Sequence, residues 1–138
     1  MLRDKGFGII VISNQSGIGR GIITLEQLNA VNDRVKKMLS AEGCELDDIF
    51  FCPHTPTDNC NCRKPRTGML EQACAKHEVD LKHSVMVGDS PADIEMGRAF
   101  NLRTIQIRLD GLNKTDAKAD FCTDSLENAY EYICGILK

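Results

Sequence analysis

Four side chains of the kinds that bind zinc lie within one short stretch of this sequence. The stretch covers residues 52–62 and contains Cys52, His54, Cys60 and Cys62. Structural zinc sites take four sulfur or nitrogen ligands in a tetrahedral arrangement. A disulfide between Cys60 and Cys62 would have to close over one intervening residue, which is poor geometry. We therefore predict a structural zinc ion on this loop, with no ligand position left open for catalysis.

Two other interpretations of the loop are reduced, unliganded cysteines and another metal such as iron. The sequence has seven cysteines. No apolar stretch of signal-peptide length supports a secreted disulfide framework. The cysteines outside the loop fall in helix or strand patterns, so we expect small buried hydrophobic residues at Cys44, Cys74, Cys122 and Cys134.

A second group of residues has the chemistry to hold a phosphate. Ser13 begins a polar turn, residues 13–17, where a hydroxyl and free backbone N–H groups can bind an oxyanion. Arg63 and Lys64 directly follow the last cysteine of the loop, and a cation there could neutralise a phosphoryl group. The alternatives are an ordinary tight turn, which favours the same residue types, and two isolated surface charges.

Two carboxylates, Asp89 and Asp93, lie one helical turn apart after an apolar stretch. A carboxylate at the tip of a strand suits Mg²⁺, which needs few protein oxygens and keeps several waters. The sequence therefore predicts a magnesium site at Asp89, supported by Asp93. For Asp93 the alternative is an acidic residue that interacts with a helix dipole.

These residues need a scaffold in which strands alternate with helices. Apolar stretches predict a buried parallel strand at residues 8–12 and further strands at 49–51, 84–89, 103–107 and 121–122. Helical spacing predicts a helix capped by Thr24 and others from 67 or 68, over 91–100 and over 125–137. This alternation indicates one α/β domain, residues 1–138, with a mostly parallel sheet covered by helices on both faces. In such sheets, ligands bind at the carboxyl ends of the strands.

Composition narrows the class of partner. The chain has 138 residues and a formal net charge of -3, which argues against nucleic acid or an anionic membrane as the main partner. No apolar run approaches the roughly 20 residues that cross a bilayer. We expect a cytoplasmic protein that binds a phosphorylated small molecule.

The order of these elements resembles the haloacid dehalogenase (HAD) superfamily of phosphatases. A strand followed by Ser-Asn, then a lysine, then a strand followed by Gly-Asp and a second acid, is the pattern that carries the resemblance. The resemblance implies that Ser13 and Lys64 contact the transferred phosphoryl group. It also implies that Asp89 holds Mg²⁺, with Asp93 supporting the metal site.

Longer motifs are similar to those of the D-glycero-D-manno-heptose bisphosphate phosphatases. They are the run from Asn14 to Gly21, the zinc-type loop, and Cys62-Arg63-Lys64-Pro65. The resemblance implies substrate contacts for Asn14, Gln15, Arg20 and Arg63, and a sugar phosphate as substrate. Histidinol-phosphate phosphatases share the loop but differ in the turn, so they are the second candidate. A phosphate-binding module without catalysis is the third.

The resemblance also implies a nucleophile that this sequence does not contain. HAD phosphatases attack phosphorus with the first aspartate of an Asp-x-Asp motif, and no Asp-x-Asp occurs in the 138 residues. We therefore expect the chain alone to be inactive and of marginal stability, with self-association as a way to cover a missing central strand. We also expect the zinc loop to act as a clamp that directs Lys64.

Overall fold

The computed structural model describes residues 2–108 and 118–136. Their contacts divide the chain into two compact units, residues 1–63 with 68–76 and residues 64–67 with 77–138. The prediction of a single domain over residues 1–138 therefore stays a prediction, and each unit is described by itself below.

The first unit contains two parallel strands and three helices. Strand β1 (Ile10–Asn14) pairs with β2 (Asp48–Cys52), so that Asn14 lies opposite Cys52 and the two carboxyl ends coincide. The helices are the short α1 (Ser16–Gly19), α2 (Leu25–Ala41) and α3 (Gly68–Lys76). The predicted cap of α2 is confirmed, because the Thr24 side chain accepts a hydrogen bond from the Gln27 backbone and the Gln27 side chain accepts one from the Thr24 backbone.

In this unit, α3 buries more side chains than α2. Helix α3 packs on β1 and β2 and buries Met69, Leu70 and Ala73. The apolar face of α2 buries only Leu28 and leaves its other large side chains accessible, including Val31, Val35 and Met38. The prediction of a buried first strand is also wrong, since every residue of β1 is half-buried. A strand in a two-stranded sheet keeps one edge without a neighbouring strand, which leaves its side chains less covered than in a central position.

The second unit contains a three-stranded parallel sheet in the order β3–β4–β5. The strands are β3 (Val85–Gly88), β4 (Arg103–Ile107) and β5 (Phe121–Thr123). Helix α4 (Pro91–Ala99) packs on β3 and β4, and α5 (Leu126–Ile136) packs on β4 and β5. The core lies between these helices and β4, where Ile94, Met96, Ile105, Ile107 and Ile133 are buried.

The α/β class with parallel pairing is confirmed, since the three strand pairs among residues 2–108 and 118–136 are all parallel. Within the described residues the strands form two sheets rather than one. The expectation for the four cysteines outside the loop is wrong. Cys122 is exposed, and Cys44, Cys74 and Cys134 are only partly covered. None of the helices in the described part of the chain is long and apolar enough to cross a membrane.

Candidate functional site

The four predicted zinc ligands converge at the carboxyl end of β2. The sulfur atoms of Cys52, Cys60 and Cys62 lie 3.1–3.7 Å from one another. The Nδ1 atom of His54 lies 3.5 Å from the Cys52 sulfur and 3.3 Å from the Cys62 sulfur. All four candidate ligand atoms are within 4.8 Å of one another.

This spacing fits a tetrahedral zinc ion. With Zn–S bonds of about 2.3 Å and Zn–N bonds of about 2.0 Å, neighbouring ligand atoms of a tetrahedron are roughly 3.5–3.8 Å apart. Cys52 is fully buried, as is usual for a ligand in a closed structural site. We refer to Cys52, His54, Cys60 and Cys62 as the thiol cluster.

The thiols of the cluster shift one another's pKa values. Burial raises the pKa of Cys60, but hydrogen bonds from the Arg63 backbone and from the neighbouring thiols outweigh it and lower the pKa to about 6. Burial and the adjacent Cys52 and Cys60 raise the pKa of Cys62 to about 12. One thiol therefore ionises readily and thereby opposes ionisation of the next. A bound cation removes that opposition.

Local chain geometry brings the later ligands back to the earlier ones. After His54 a single 3₁₀ turn, Pro56–Asp58, begins with a capping box in which the Thr55 backbone donates to Asp58 at 2.6 Å. Asn59 then adopts a left-handed conformation with φ 51°, which a short polar side chain tolerates. The reversal returns Cys60 and Cys62 to the end of β2.

Arg63 is tied to the zinc-type loop. Its Nη1 donates to the backbone carbonyl of His54 at 3.2 Å. The guanidinium is thus positioned by the backbone of a predicted metal ligand, nine residues earlier in the chain. The sequence predicted that the loop would direct Lys64, whereas the contact within this unit involves Arg63.

Ser13 and Asn14, which were predicted to follow the first strand, are the last two residues of β1, and Gln15 comes directly after it. The side-chain amide of Gln15 donates to the Ser13 hydroxyl at 2.8 Å. Both side chains line a cavity of about 320 Å³ whose other walls are mostly apolar side chains of α2, β1 and β2. Asn14 ends the strand, and Arg20, just past α1, is exposed.

In the second unit Lys64 and Asp93 form a buried ion pair. The Lys64 Nζ lies 2.6 Å from Asp93 Oδ1, and the side chains are 12% and 7% exposed. The other oxygen, Oδ2, accepts hydrogen bonds from the backbone and the hydroxyl of Ser90, at 3.1 and 2.7 Å. Burial alone would raise the pKa of Asp93, but Lys64 and Ser90 lower it below its usual value. Asp93 is therefore a carboxylate with both oxygens engaged.

Two residues that the sequence analysis missed hold Asp93 in place. Ser90 caps α4 in a capping box with Asp93, and the Ser-x-x-Asp spacing before an apolar helix could have indicated it. Gly88 ends β3, where an added Cβ would lie 2.3 Å from the Asp93 Cβ, so only glycine allows this close approach. Asp89, the predicted magnesium ligand, follows β3 directly and is exposed.

Known proteins resemble this chain in sequence. The HAD-hydrolase-like family model matches residues 61–129. A probable D-glycero-D-manno-heptose-1,7-bisphosphate 7-phosphatase from Thermoplasma volcanium is 42% identical over 72% of this chain and 69% of its own length. The D-glycero-beta-D-manno-heptose-1,7-bisphosphate 7-phosphatase of Yersinia pestis is 37% identical over 91% of this chain and 72% of its own length.

The chain spans only part of such relatives, for example 56% of the length of the D-glycero-alpha-D-manno-heptose-1,7-bisphosphate 7-phosphatase from Photorhabdus laumondii, which is 42% identical. Solved structures agree with the sequence matches. D,D-heptose 1,7-bisphosphate phosphatase from B. bronchiseptica, complexed with magnesium and phosphate, gives a TM-score of 0.87 at 29% identity, over 98% of this chain and 78% of that one. The chain therefore belongs to the HAD-like phosphoric monoester hydrolases, in the family of the D-glycero-D-manno-heptose-1,7-bisphosphate 7-phosphatases.

Proposed function

We propose that the chain supplies the phosphate-binding part of a heptose 1,7-bisphosphate 7-phosphatase of cytoplasmic carbohydrate metabolism, and that it does not release phosphate by itself because it contains no Asp-x-Asp nucleophile. The observation that carries the proposal is the buried Lys64–Asp93 pair, which fixes an ammonium group at the position that the family motif assigns to phosphate contact. A lysine that is held in one place by a buried partner loses less entropy when it binds an anion than a mobile surface lysine.

The proposed roles follow the contacts within each unit. The Ser13 hydroxyl, oriented by Gln15, hydrogen-bonds the phosphoryl oxygens. Arg63, held by the His54 carbonyl, contacts the substrate phosphate. Asn14, at the end of β1, and Arg20, just past α1, contribute further substrate contacts.

Asp89 is the proposed magnesium ligand. A single carboxylate, completed by waters and substrate oxygens, is a common way to hold Mg²⁺, which when bound neutralises charge on the phosphoryl group. Asp93 has a different role in this proposal from the one expected of it, because both of its oxygens are already engaged. It acts as a positioning residue for Lys64 rather than as a support for the metal.

Zinc is proposed to bind the thiol cluster as a structural ion. The four converging ligand atoms support this assignment, and no open position is needed for substrate. Chemically, zinc there would compensate the thiolates and leave the phosphate chemistry to the residues named above.

The experiment measures binding first, because the chain contains no Asp-x-Asp and we expect it to show no turnover. Isothermal titration with heptose 1,7-bisphosphate and Mg²⁺ should detect binding that Lys64→Ala weakens by about tenfold or more, the size expected for a lost charge-assisted hydrogen bond. Lys76→Ala is the matched control, because Lys76 is also ion-paired, to Asp48, but lies 63% exposed. Equal losses in both variants would contradict the phosphate role of Lys64.

The two alternatives give different results in the same experiment. Tighter binding of histidinol phosphate than of heptose bisphosphate would favour a histidinol-phosphate phosphatase. Phosphate release from the chain alone would contradict the expected loss of the nucleophile. A longer form that bears Asp-x-Asp, binds the bisphosphate and still releases no phosphate would favour a non-catalytic module.

We also propose that a second copy of the chain covers the apolar face of α2. Leu25, Val31 and Met38 are 51–58% exposed on that helix, and burying each such side chain contributes roughly 1.5–3 kcal/mol. Sedimentation equilibrium should find a dimer that Val31→Lys dissociates. Cooperative thermal unfolding of a stable monomer would contradict both this proposal and the expected marginal stability.

A further inference from the structure

The zinc-type loop is fastened to the turn after β1 by two backbone hydrogen bonds. The amide of Gln15 donates to the Cys52 carbonyl at 2.8 Å, and the amide of Gly19 donates to the Pro53 carbonyl at 2.9 Å. These carbonyls belong to the first ligand and to the residue between the first two ligands. The turn that contains Gln15 and Arg20, directly after the strand residue Ser13, is therefore joined to the backbone that presents Cys52 and His54.

The approach at Gly19 leaves no room for a side chain. A Cβ added there would lie 2.7 Å from the Pro53 carbonyl oxygen and 3.1–3.2 Å from Thr55 atoms. The nearest obstacle, the Pro53 carbonyl oxygen, is backbone of the loop itself, which cannot rotate out of the way as a side chain can. Gly17, two residues earlier in the same short helix, would meet only the flexible Ile23 side chain, at 3.3 Å.

We propose that Gly19 is a positioning residue for the zinc site, through which zinc occupancy and the conformation of the turn after β1 are coupled. The inference rests on the proposed zinc site and extends it to the phosphate-binding turn. Coupling of this kind is reciprocal, so a substitution that shifts the turn lowers zinc affinity and removal of zinc loosens the turn. Changes next to metal ligands typically alter metal affinity by roughly 10- to 100-fold.

The first test measures zinc affinity by competition with a chromogenic chelator, and ligand geometry by the absorption spectrum of bound Co²⁺. Gly19→Ala should raise the zinc Kd by about tenfold or more and distort the tetrahedral Co²⁺ spectrum. Gly17→Ala, the matched control, should leave both unchanged. Equal zinc affinities in the two variants would overturn the proposal.

The second test uses the unaltered chain and so does not depend on a variant that folds. Amide hydrogen exchange is measured with zinc bound and after chelation. The amides of Gln15 and Gly19 should lose protection when zinc is removed, whereas the amide of Cys44, bonded to the Leu39 carbonyl at the end of α2, should keep it.

Two outcomes of the exchange experiment overturn the coupling: unchanged protection at Gln15 and Gly19, or equal loss of protection at Cys44, which would indicate general unfolding. Failure of the chain to bind zinc would overturn the zinc site together with the coupling. None of these results depends on phosphate release, so failure of the proposed phosphatase activity is observed separately.

Discussion

Two regions of the chain concentrate ionisable groups, the thiol cluster of the first unit and the Lys64–Asp93 pair of the second. The pair contains its own counter-charge, and the Ser90 cap satisfies the remaining carboxylate oxygen. The thiol cluster has three acidic groups and one imidazole, with pKa values pushed apart to about 6 for Cys60 and about 12 for Cys62. The charges of the pair are thus balanced within the folded chain, whereas the thiolates of the cluster need a cation from solution.

This difference indicates which part of the chain is sensitive to solution conditions. Metal supply and pH act on the thiol cluster because zinc competes with protons for the same sulfur atoms. The ion pair responds only when one of its own members is changed or protonated. The predictions that follow test this contrast, from the largest effect to the smallest.

Loss of one thiol should have the largest effect. Structural zinc sites bind with about 10–16 kcal/mol shared among four ligands, so Cys60→Ser should weaken zinc binding by about 100-fold or more. Chelator competition measures the affinity, and Cys74→Ser on α3, outside the cluster, is the control. If phosphate affinity is unchanged when zinc is removed, the expectation that the loop directs Lys64 is wrong, and the ion only stabilises the loop.

Asp93→Asn tests the ion pair and should have the second-largest effect, a loss of stability. It removes the charge of Asp93 from its buried pair with Lys64, and loss of one partner of a buried pair costs about 3 kcal/mol or more of unfolding free energy. Urea denaturation measures the loss. Asp80→Asn is the control, because Asp80 and its partner His83 are 66% and 58% exposed, and exposed pairs contribute only about 0–1 kcal/mol. Similar losses in both variants would show that burial of the Lys64 pair is unimportant.

A change of pH should have a smaller effect, and it should act on zinc affinity and on the Asp93 contribution to stability in different pH ranges. Between pH 7 and 9 Cys60, with a pKa of about 6, is mostly a thiolate, while Cys62, with a pKa of about 12, keeps its proton until zinc displaces it. Zinc affinity should therefore rise at least about tenfold per pH unit. The lowered pKa of Asp93 acts in the same direction but in a lower pH range. Its contribution to stability is present above the unfolded value near pH 4 and is lost as pH falls further.

The stability difference between the unaltered chain and Asp93→Asn should accordingly stay constant over the range in which zinc affinity changes. Denaturation series at several pH values provide the measurement. A zinc affinity independent of pH would contradict the proton competition at Cys62.

Local patterns in the sequence predicted the local features of the structure. The Thr24 capping box and the convergence of the four Cys and His side chains in the thiol cluster depend on residues close together in the chain, and both features occur where the sequence predicts them. The Lys64–Asp93 contact joins residues far apart in sequence, and the acidic spacing alone indicated a metal instead. Burial of α2 could not be predicted either, because an apolar stripe specifies a face that can be covered but not what covers it.

The compactness of the zinc-type loop has a consequence for folding. All four ligands lie within residues 52–62, whereas pairing β1 with β2 joins Ile10 to Asp48. Loops of about ten residues close within roughly 10–100 ns, and short loops cost less entropy to close than long ones. The unfolded chain should therefore capture zinc before its strands pair. Because an ion that binds the unfolded chain stabilises the folded one less, zinc should raise the melting temperature by less than its affinity for the native site implies.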